Sequence, residues 1–361
     1  MSSHNTRKFK VAAAQAGQVL KDAPVWFDAG GTLDKAVGLI EEAGKNGARL
    51  IVFPECWLPC FPYWSLDYKD RTAFVDIWAK LLECSIEVPG VETEALCAAA
   101  RRANTYVVMG INERDRKYQG RMYNSILYIS AYGEIMGTHR KICNTVQERF
   151  FHTPGDGGDN LKTVFPTEIG IIGGSMCGEH SQMLLMHSWI MQGVQVHCSL
   201  WPGRIGLETI TDISTRSLCN SGSTYAVLAS TYISKEDEPK HFYSNSVFGF
   251  AGGFRGGSGI VNPHGEYIAG PVFDREELVY GEVDLSETDK ARYAANLAGI
   301  YSRWDLLNVN VREEIYEPLV PMNTSGAISS GQEIPRLEKL EATMKELESQ
   351  VARLKDKDTG Q

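Results

Sequence analysis

No apolar run in the sequence approaches the roughly 18 residues that a bilayer-spanning helix needs, so a membrane role is not expected. Basic blocks are missing as well. The 36 Lys and Arg are outnumbered by 45 Asp and Glu, for a formal charge of -9, and the sequence pI is near 5.5. A phosphate-tracking surface has no support in that balance, so nucleic acid is not an expected partner. The polar start, Met1 to Lys8, lacks the long apolar core and small-residue cleavage site of a secretory signal. A cytoplasmic location is the expectation.

Cysteine is sparse: eight in 361 residues are too few for a dense disulfide framework. Cys56 and Cys60 have no second pair at matching spacing, and His152, His187, His197, His241 and His264 show no ligand spacing. No metal is expected. The glycine-rich run Gly252-Gly253-Phe254-Arg255-Gly256-Gly257 is not followed by Lys-Ser/Thr and does not match a dinucleotide fingerprint. It reads as a flexible loop or a tight β connection.

What the chain does have is alternation of strand and helix patterns. Phe9–Ala14 reads as a buried strand. Thr32 is placed to cap a helix with the stripe Leu33, Ala36, Val37, Ile40 and Ala43, and Leu50–Phe53 is an apolar strand stopped by Pro54. A helix over Glu92–Ala103, the strand Tyr106–Gly110 and a hairpin of Tyr123–Ser130 with Ile135–His139 follow. The second half gives a strand at Gly170–Met176, a helix at Ser181–Gln192 and a strand at Val194–Leu200. A helix near Ile210–Asn220 and the strand Tyr225–Ser230 complete it. The turn Pro263-His264-Gly265-Glu266 echoes Tyr132-Gly133-Glu134 and hints at an internally duplicated unit. This order argues for a layered α/β sandwich.

Composition shifts after Pro318. A catalytic domain over 8–315, a linker over 316–335 and an amphipathic heptad helix over 336–356 are expected. Leu337, Leu340, Met344, Leu347, Val351 and Leu354 form an a/d seam that suits either self-association or a helix lying on the domain.

Three residues stand where chemistry is placed. Glu55, in Phe53-Pro54-Glu55-Cys56-Trp57, follows an apolar strand among aromatic neighbours, where desolvation raises a carboxyl toward the range of a general base. Lys141 follows the strand ending at His139 and would donate to a developing negative charge. Cys177 sits between a strand and a helix, with free N–H groups expected to stabilise a thiolate. His180, three residues on, suggests a Cys-His dyad, but the Glu-Lys-Cys set explains more.

Phe53-Pro54-Glu55, His139-Arg140-Lys141 and Cys177-Gly178-Glu179, in that order, resemble the triad of the nitrilase (carbon–nitrogen hydrolase) superfamily. The resemblance covers about residues 8 to 315. It implies a four-layer αββα sandwich, a cofactor-free reaction, and homo-oligomers that are dimers or spiral filaments. It also implies a second active-site glutamate, carried to Glu148 in Gln147-Glu148-Arg149-Phe150. Tyr63-Trp64 and Trp201-Pro202 look like the nitrilase branch. With Trp57, Gly178, Glu179 and His180 they form the expected substrate-binding set.

Gly178 departs from the large aromatic that tends to follow the cysteine in nitrilases. The implied reaction is hydrolysis of an organic nitrile to acid and ammonia through a thioimidate and a thioester. An amidase or carbamoyl-amide hydrolase, a hydratase giving the amide, and an inactive scaffold remain as alternatives.

Overall fold

A computed structural model describes residues 7–22, 24–63, 71–161, 163–203, 206–238, 253–294, 297–298 and 302–311. The chain divides into two units, 1–315 and 316–361. Every described element belongs to the first. The expected linker, the expected heptad helix and Trp64 lie outside the described residues.

Side-chain alternation decides the layering. In β1 (Lys8–Gln15), Val11 and Ala13 join one buried cluster while Ala12 and Ala14 join another. The same split recurs in β2 (Ala48–Val52), with Leu50 and Val52 against Ile51. It recurs in β3 (Tyr106–Arg114), with Tyr106 and Val108 against Val107 and Met109, and in β4 (Met122–Ile129), with Ile126 and Tyr128 against Leu127 and Ile129. Both faces of these strands are covered, which is why they read as continuous apolar runs.

One face meets helices α1 (Ala29–Lys45) and α3 (Val91–Ala103) through Ala36, Ile40, Leu96 and Ala99. The other meets a second sheet through Ile172, Met176, Val196, Leu200 and Val227. On the far side of that sheet lie Met186, Trp189 and Ile190 of α4 (Met183–Met191) and Leu218 of α5 (Glu208–Gly222). The layers are therefore α, β, β and α, the four-layer sandwich.

The first sheet is six-stranded, in the order β13-β1-β2-β3-β4-β5, with β5 at Ile135–Arg140 and β13 at Glu277–Asp284. The second is seven-stranded. Its path runs β10 (Tyr232–Ile233), β11 (Phe254–Val261), β9 (Tyr225–Ser230), β8 (Val196–Trp201), β7 (Gly170–Met176) and β6 (Val164–Thr167), with β12 (Tyr267–Phe273) on β11.

The two sheets repeat one plan. β1, β2 and β3 run parallel with β4 and β5 antiparallel beyond them, and β7, β8 and β9 run parallel with β11 and β12 beyond them. The echoed turns fall at matching places. Ser130 N donates to Glu134 O and Gly133 N to Ser130 O, as Asn262 N does to Glu266 O and Gly265 N to Asn262 O. Gly133 and Gly265 have φ of 76° and 78°. A Cβ at either would press on a helix carbonyl, Cys97 O of α3 or Arg216 O of α5. The hint of duplication thus has a structural counterpart.

Among the elements that the sequence reading placed differently or left out, three stand near the site or the first helix layer. The cap of α1 is Asp28, whose carboxylate accepts from Gly31 N, while Thr32 is buried inside the helix and accepts from Val19 N. Arg71–Cys84 is a further helix, α2, packing Ile77 and Leu81 beside Met122 and Phe151. Much of the glycine-rich run belongs to β11, because Gln15 Oε1 accepts from the N–H groups of Gly257 and Ser258 and ties that strand to β1.

Candidate active site

Glu55 lies just past β2, Lys141 just past β5, Glu148 on the 3₁₀ turn Val146–Phe150, and Cys177 at the end of β7. Lys141 is fully buried. Its Nζ donates to Glu55 Oε1 at 2.6 Å and to Glu148 Oε1 at 2.8 Å. A lone ammonium would not persist there, and two carboxylates against one charge explain why it does.

Asn124 completes the cluster from β4, on the same face as Ile126 and Tyr128. Its Nδ2 donates to Glu55 Oε1 at 2.7 Å and to Glu148 Oε1 at 2.8 Å. The sequence reading missed this residue. Its only signal is an amide, beside Ser125, inside a strand that is largely apolar.

The two glutamates are not equivalent. Burial raises the Glu55 carboxyl, and the neighbouring Glu148 adds to this against the pull of Lys141, so it stands at about 7. Burial acts on Glu148 in the same direction, but Lys141, His152 and the Thr145 N–H, which donates to Oε2 at 2.6 Å, outweigh it and hold it at about 2. Glu148 is the permanently charged partner of Lys141, and Glu55 the one that exchanges a proton near neutrality. Burial lowers Lys141, but Glu148 and Glu55 overcome this and raise it well above the ordinary lysine value. Among the described residues, Glu55 Oε2 is a buried oxygen with no hydrogen-bond partner.

Cys177 has φ of +45°, in the left-handed region, a backbone cost of about 1–2 kcal/mol for a residue with a Cβ. Burial raises its thiol well above the ordinary value, the charge of Glu55 adds to this, and Lys141 opposes it. The resting group is a thiol. This differs from the thiolate expected at a helix N-terminus: the residues after Cys177 form a 3₁₀ turn, Cys177–Ser181, and α4 starts only at Met183. The N–H of Gly178 lowers the thiol by less than Lys141 does.

The residues expected to bind substrate are placed differently from one another. Trp57 is fully buried in the core, against Phe53, with its Nε1 donating to Ala16 O at 2.8 Å. The parallel bridge of Leu58 to Ile111 carries the chain along β3 and turns this indole inward. Tyr63 packs on Phe254 and donates to Gln18 Oε1.

Glu179 accepts from His139 Nε2 at 3.0 Å, from Ile142 N at 2.8 Å and from Met176 N at 3.3 Å. With its oxygens so occupied, this carboxylate straps the Cys177 turn to the segment carrying Lys141. Burial raises its pKa, but His139, Lys141 and the Ile142 N–H hold it below the ordinary range.

His180 and Trp201 are buried and stacked on each other, with centroids 5.0 Å apart. Gly178 abuts Thr145: a Cβ there would lie 2.7 Å from Thr145 Oγ1. Space freed by the missing aromatic is thus taken by Thr145 in that direction.

Among the described residues no group of three or more His, Cys, Asp or Glu is placed to hold a metal ion.

An αββα sandwich with a buried carboxylate–lysine–carboxylate cluster, and a cysteine at a strained strand end within its field, defines a class of cysteine hydrolases. The family model described as Carbon-nitrogen hydrolase matches residues 10–293, and the chain belongs to that family. An aliphatic nitrilase of Rhodococcus rhodochrous is 34% identical over 342 residues, covering 90% of this chain and 84% of the relative. A nitrilase of Penicillium rubens is 31% identical over 334 residues, covering 88% and 98%. Among solved structures, Saccharomyces cerevisiae Nit3 superposes with a TM-score of 0.62 at 20% identity, covering 84% of this chain and 98% of that one. The C. elegans NitFhit protein gives 0.65 at 18%, covering 87% and 69%. At such identities these two structures speak for the fold alone.

Proposed function

We propose that the chain hydrolyses an organic nitrile to the carboxylic acid and ammonia, with Cys177 as nucleophile, Glu55 as general base, and Lys141 and Glu148 holding charge. The observation that carries this reading is the free Glu55 Oε2. Its sister oxygen is engaged by Lys141 and Asn124, and the carboxyl ionises near 7, so one oxygen is left to accept a proton.

In this scheme the thiol proton passes to Glu55 as Sγ bonds to the nitrile carbon, and Glu55 hands that proton to the nitrile nitrogen, which gives a thioimidate and leaves the carboxylate ionised again. Glu55 then deprotonates a water that adds to that carbon. Glu55 passes the water's proton to the nitrogen, the adduct's hydroxyl proton follows by way of Glu55 as the carbonyl forms, the carbon–nitrogen bond breaks, and ammonia leaves with a thioester behind. A second water, deprotonated by Glu55, adds to the thioester, the carbon–sulfur bond breaks, and the proton returns from Glu55 to the sulfur as the acid is released. Lys141 stays charged throughout and offsets negative charge at the reacting carbon's substituents. The 34%-identical aliphatic nitrilase supports nitrile as the substrate.

The test is ammonia release over matched aliphatic and aromatic nitriles and their amides, with Cys177→Ala as blank. Turnover of nitriles and none in the variant is expected. Turnover of amides alone would move the protein to amide hydrolysis, and activity in the variant would remove the covalent scheme. Assembly into homo-oligomers is supported by the exposed apolar residues Met183, Leu184 and Ile213 on α4 and α5. Light scattering that found only a monomer would refute it.

A further inference from the structure

Behind Cys177 lies a buried polar network that the scheme above does not use. His180 Nδ1 is 3.0 Å from the Cys177 carbonyl oxygen. A carbonyl only accepts, so Nδ1 carries the hydrogen. Burial pushes the ring's pKa down to about 4, so it is neutral and Nε2 is an acceptor.

Three groups converge on that one nitrogen: Ser199 Oγ at 2.9 Å, Ser175 Oγ at 3.0 Å and His197 Nε2 at 3.1 Å. His197 Nε2 also lies 3.1 Å from Ser175 Oγ. Ser199 in turn accepts from Trp201 Nε1 at 2.9 Å and pairs with Thr215 Oγ1 of α5 at 3.0 Å. The ring is therefore anchored by β7, β8 and α5, and stacked on Trp201. The one group it grips on the other side belongs to the residue with left-handed backbone, Cys177. Strained backbone of that kind persists only where its surroundings over-determine it.

We propose that His180 is a positioning residue for Cys177: its Nδ1–H holds the Cys177 carbonyl, and so keeps the thiol within the field of Glu55 and Lys141. This rests on Cys177 being the nucleophile. The ring donates to the backbone of the reacting residue and touches no reacting atom, so its removal costs orientation and leaves substrate affinity in place.

The experiment compares His180→Phe, which fills the space and stacks on Trp201 but donates nothing, with His180→Asn, whose amide N–H takes the place of Nδ1–H. The readouts are kcat and KM for the best nitrile, the rate of Cys177 alkylation by iodoacetamide measured on the peptide, and near-ultraviolet circular dichroism. His180→Phe should lower kcat about 100-fold with KM within about threefold, the scale of loss for a misplaced reacting group. It should slow labelling of Cys177 while leaving Cys143 labelled at the parent rate. His180→Asn should recover at least about tenfold of the lost kcat, which a volume-filling role would not produce.

Parent-like kcat and labelling in His180→Phe, or no recovery in His180→Asn, overturns the proposal. Should His180→Phe fail to fold, Ser199→Ala decides. It removes a hydroxyl shared by His180, Trp201 and Thr215, and a kcat equal to the parent's would overturn the proposal. Turnover by Cys177→Ala would instead refute the nucleophile assignment. A dead Cys177→Ala beside a parent-like His180→Phe refutes the positioning role alone.

Discussion

Lys141 and Asn124 donate to the same two oxygens, Glu55 Oε1 and Glu148 Oε1, so one carboxylate oxygen of each glutamate is held twice. The ammonium supplies charge and the amide supplies direction. Asn124 also faces Asn112 across the β3–β4 ladder, and Asn112 Nδ2 donates to Cys60 O in the loop that carries Glu55.

Asn124→Leu keeps the size of the side chain and loses the donor. The expected result is a fall in kcat of about 10- to 100-fold with the fold retained, measured by steady-state kinetics and circular dichroism. A kcat within twofold of the parent would show that Lys141 alone orients both carboxylates.

The pH profile should have one limb. Glu55 accepts a proton only when ionised, so kcat/KM should rise with pH through an apparent pKa near 7, a value that belongs to the Glu55–Lys141–Glu148 cluster as a unit. Lys141 and the Cys177 thiol are both raised well above their ordinary values, so no fall is expected up to about pH 9. An acid limb centred near 4.5 would contradict this ordering.

The same shift carries a stability cost. The folded Glu55 carboxyl holds its proton to about 7 where the ordinary value is 4.5, so between those values the unfolded chain has released a proton that the folded chain keeps. Stability from this group therefore falls as pH rises across that window. Glu55→Gln escapes the loss. Its Tm relative to the parent should improve between pH 5 and pH 8 by differential scanning calorimetry, while turnover is abolished. A Tm difference independent of pH would show that Glu55 ionises normally in the fold.

Gly110 sets the approach of the Glu55 loop to β3. A Cβ there would lie 2.1 Å from Pro54 O and 2.8 Å from Glu55 Cα. Gly110→Ala should destabilise the fold by about 1–3 kcal/mol in urea unfolding, the usual cost of overpacking, and should reduce kcat more than it raises KM. Unchanged stability would mean that the loop yields freely.

Much of this arrangement was legible because the chemistry falls at strand ends. Glu55, Lys141 and Cys177 each follow the end of a strand, and the charges of Glu55 and Lys141 both reach the Cys177 thiol, in opposite senses. Other features depended on contacts far apart in sequence. Whether Trp57 faces a pocket or the core is decided by a bridge to Ile111 and by the carbonyl of Ala16, which no local pattern encodes. Asn124 sits in the interior of a strand where periodicity expects an apolar residue. The pairing of β1 with β13, from Lys8 with Asp284 to Gln15 with Glu277, joins opposite ends of the domain. Helix α2 is a different case: Phe74, Ile77, Trp78 and Leu81 carry helical spacing within Arg71–Cys84.

Glu55 and Lys141 stand on one sheet and Cys177 on the other, and the inter-sheet core joins the two. Neither half of the duplicated plan holds a complete site. Turnover is thus a gauge of how the two sheets are seated on each other. A perturbation that slides one against the other by a fraction of a side chain would silence the enzyme while both sheets stayed intact.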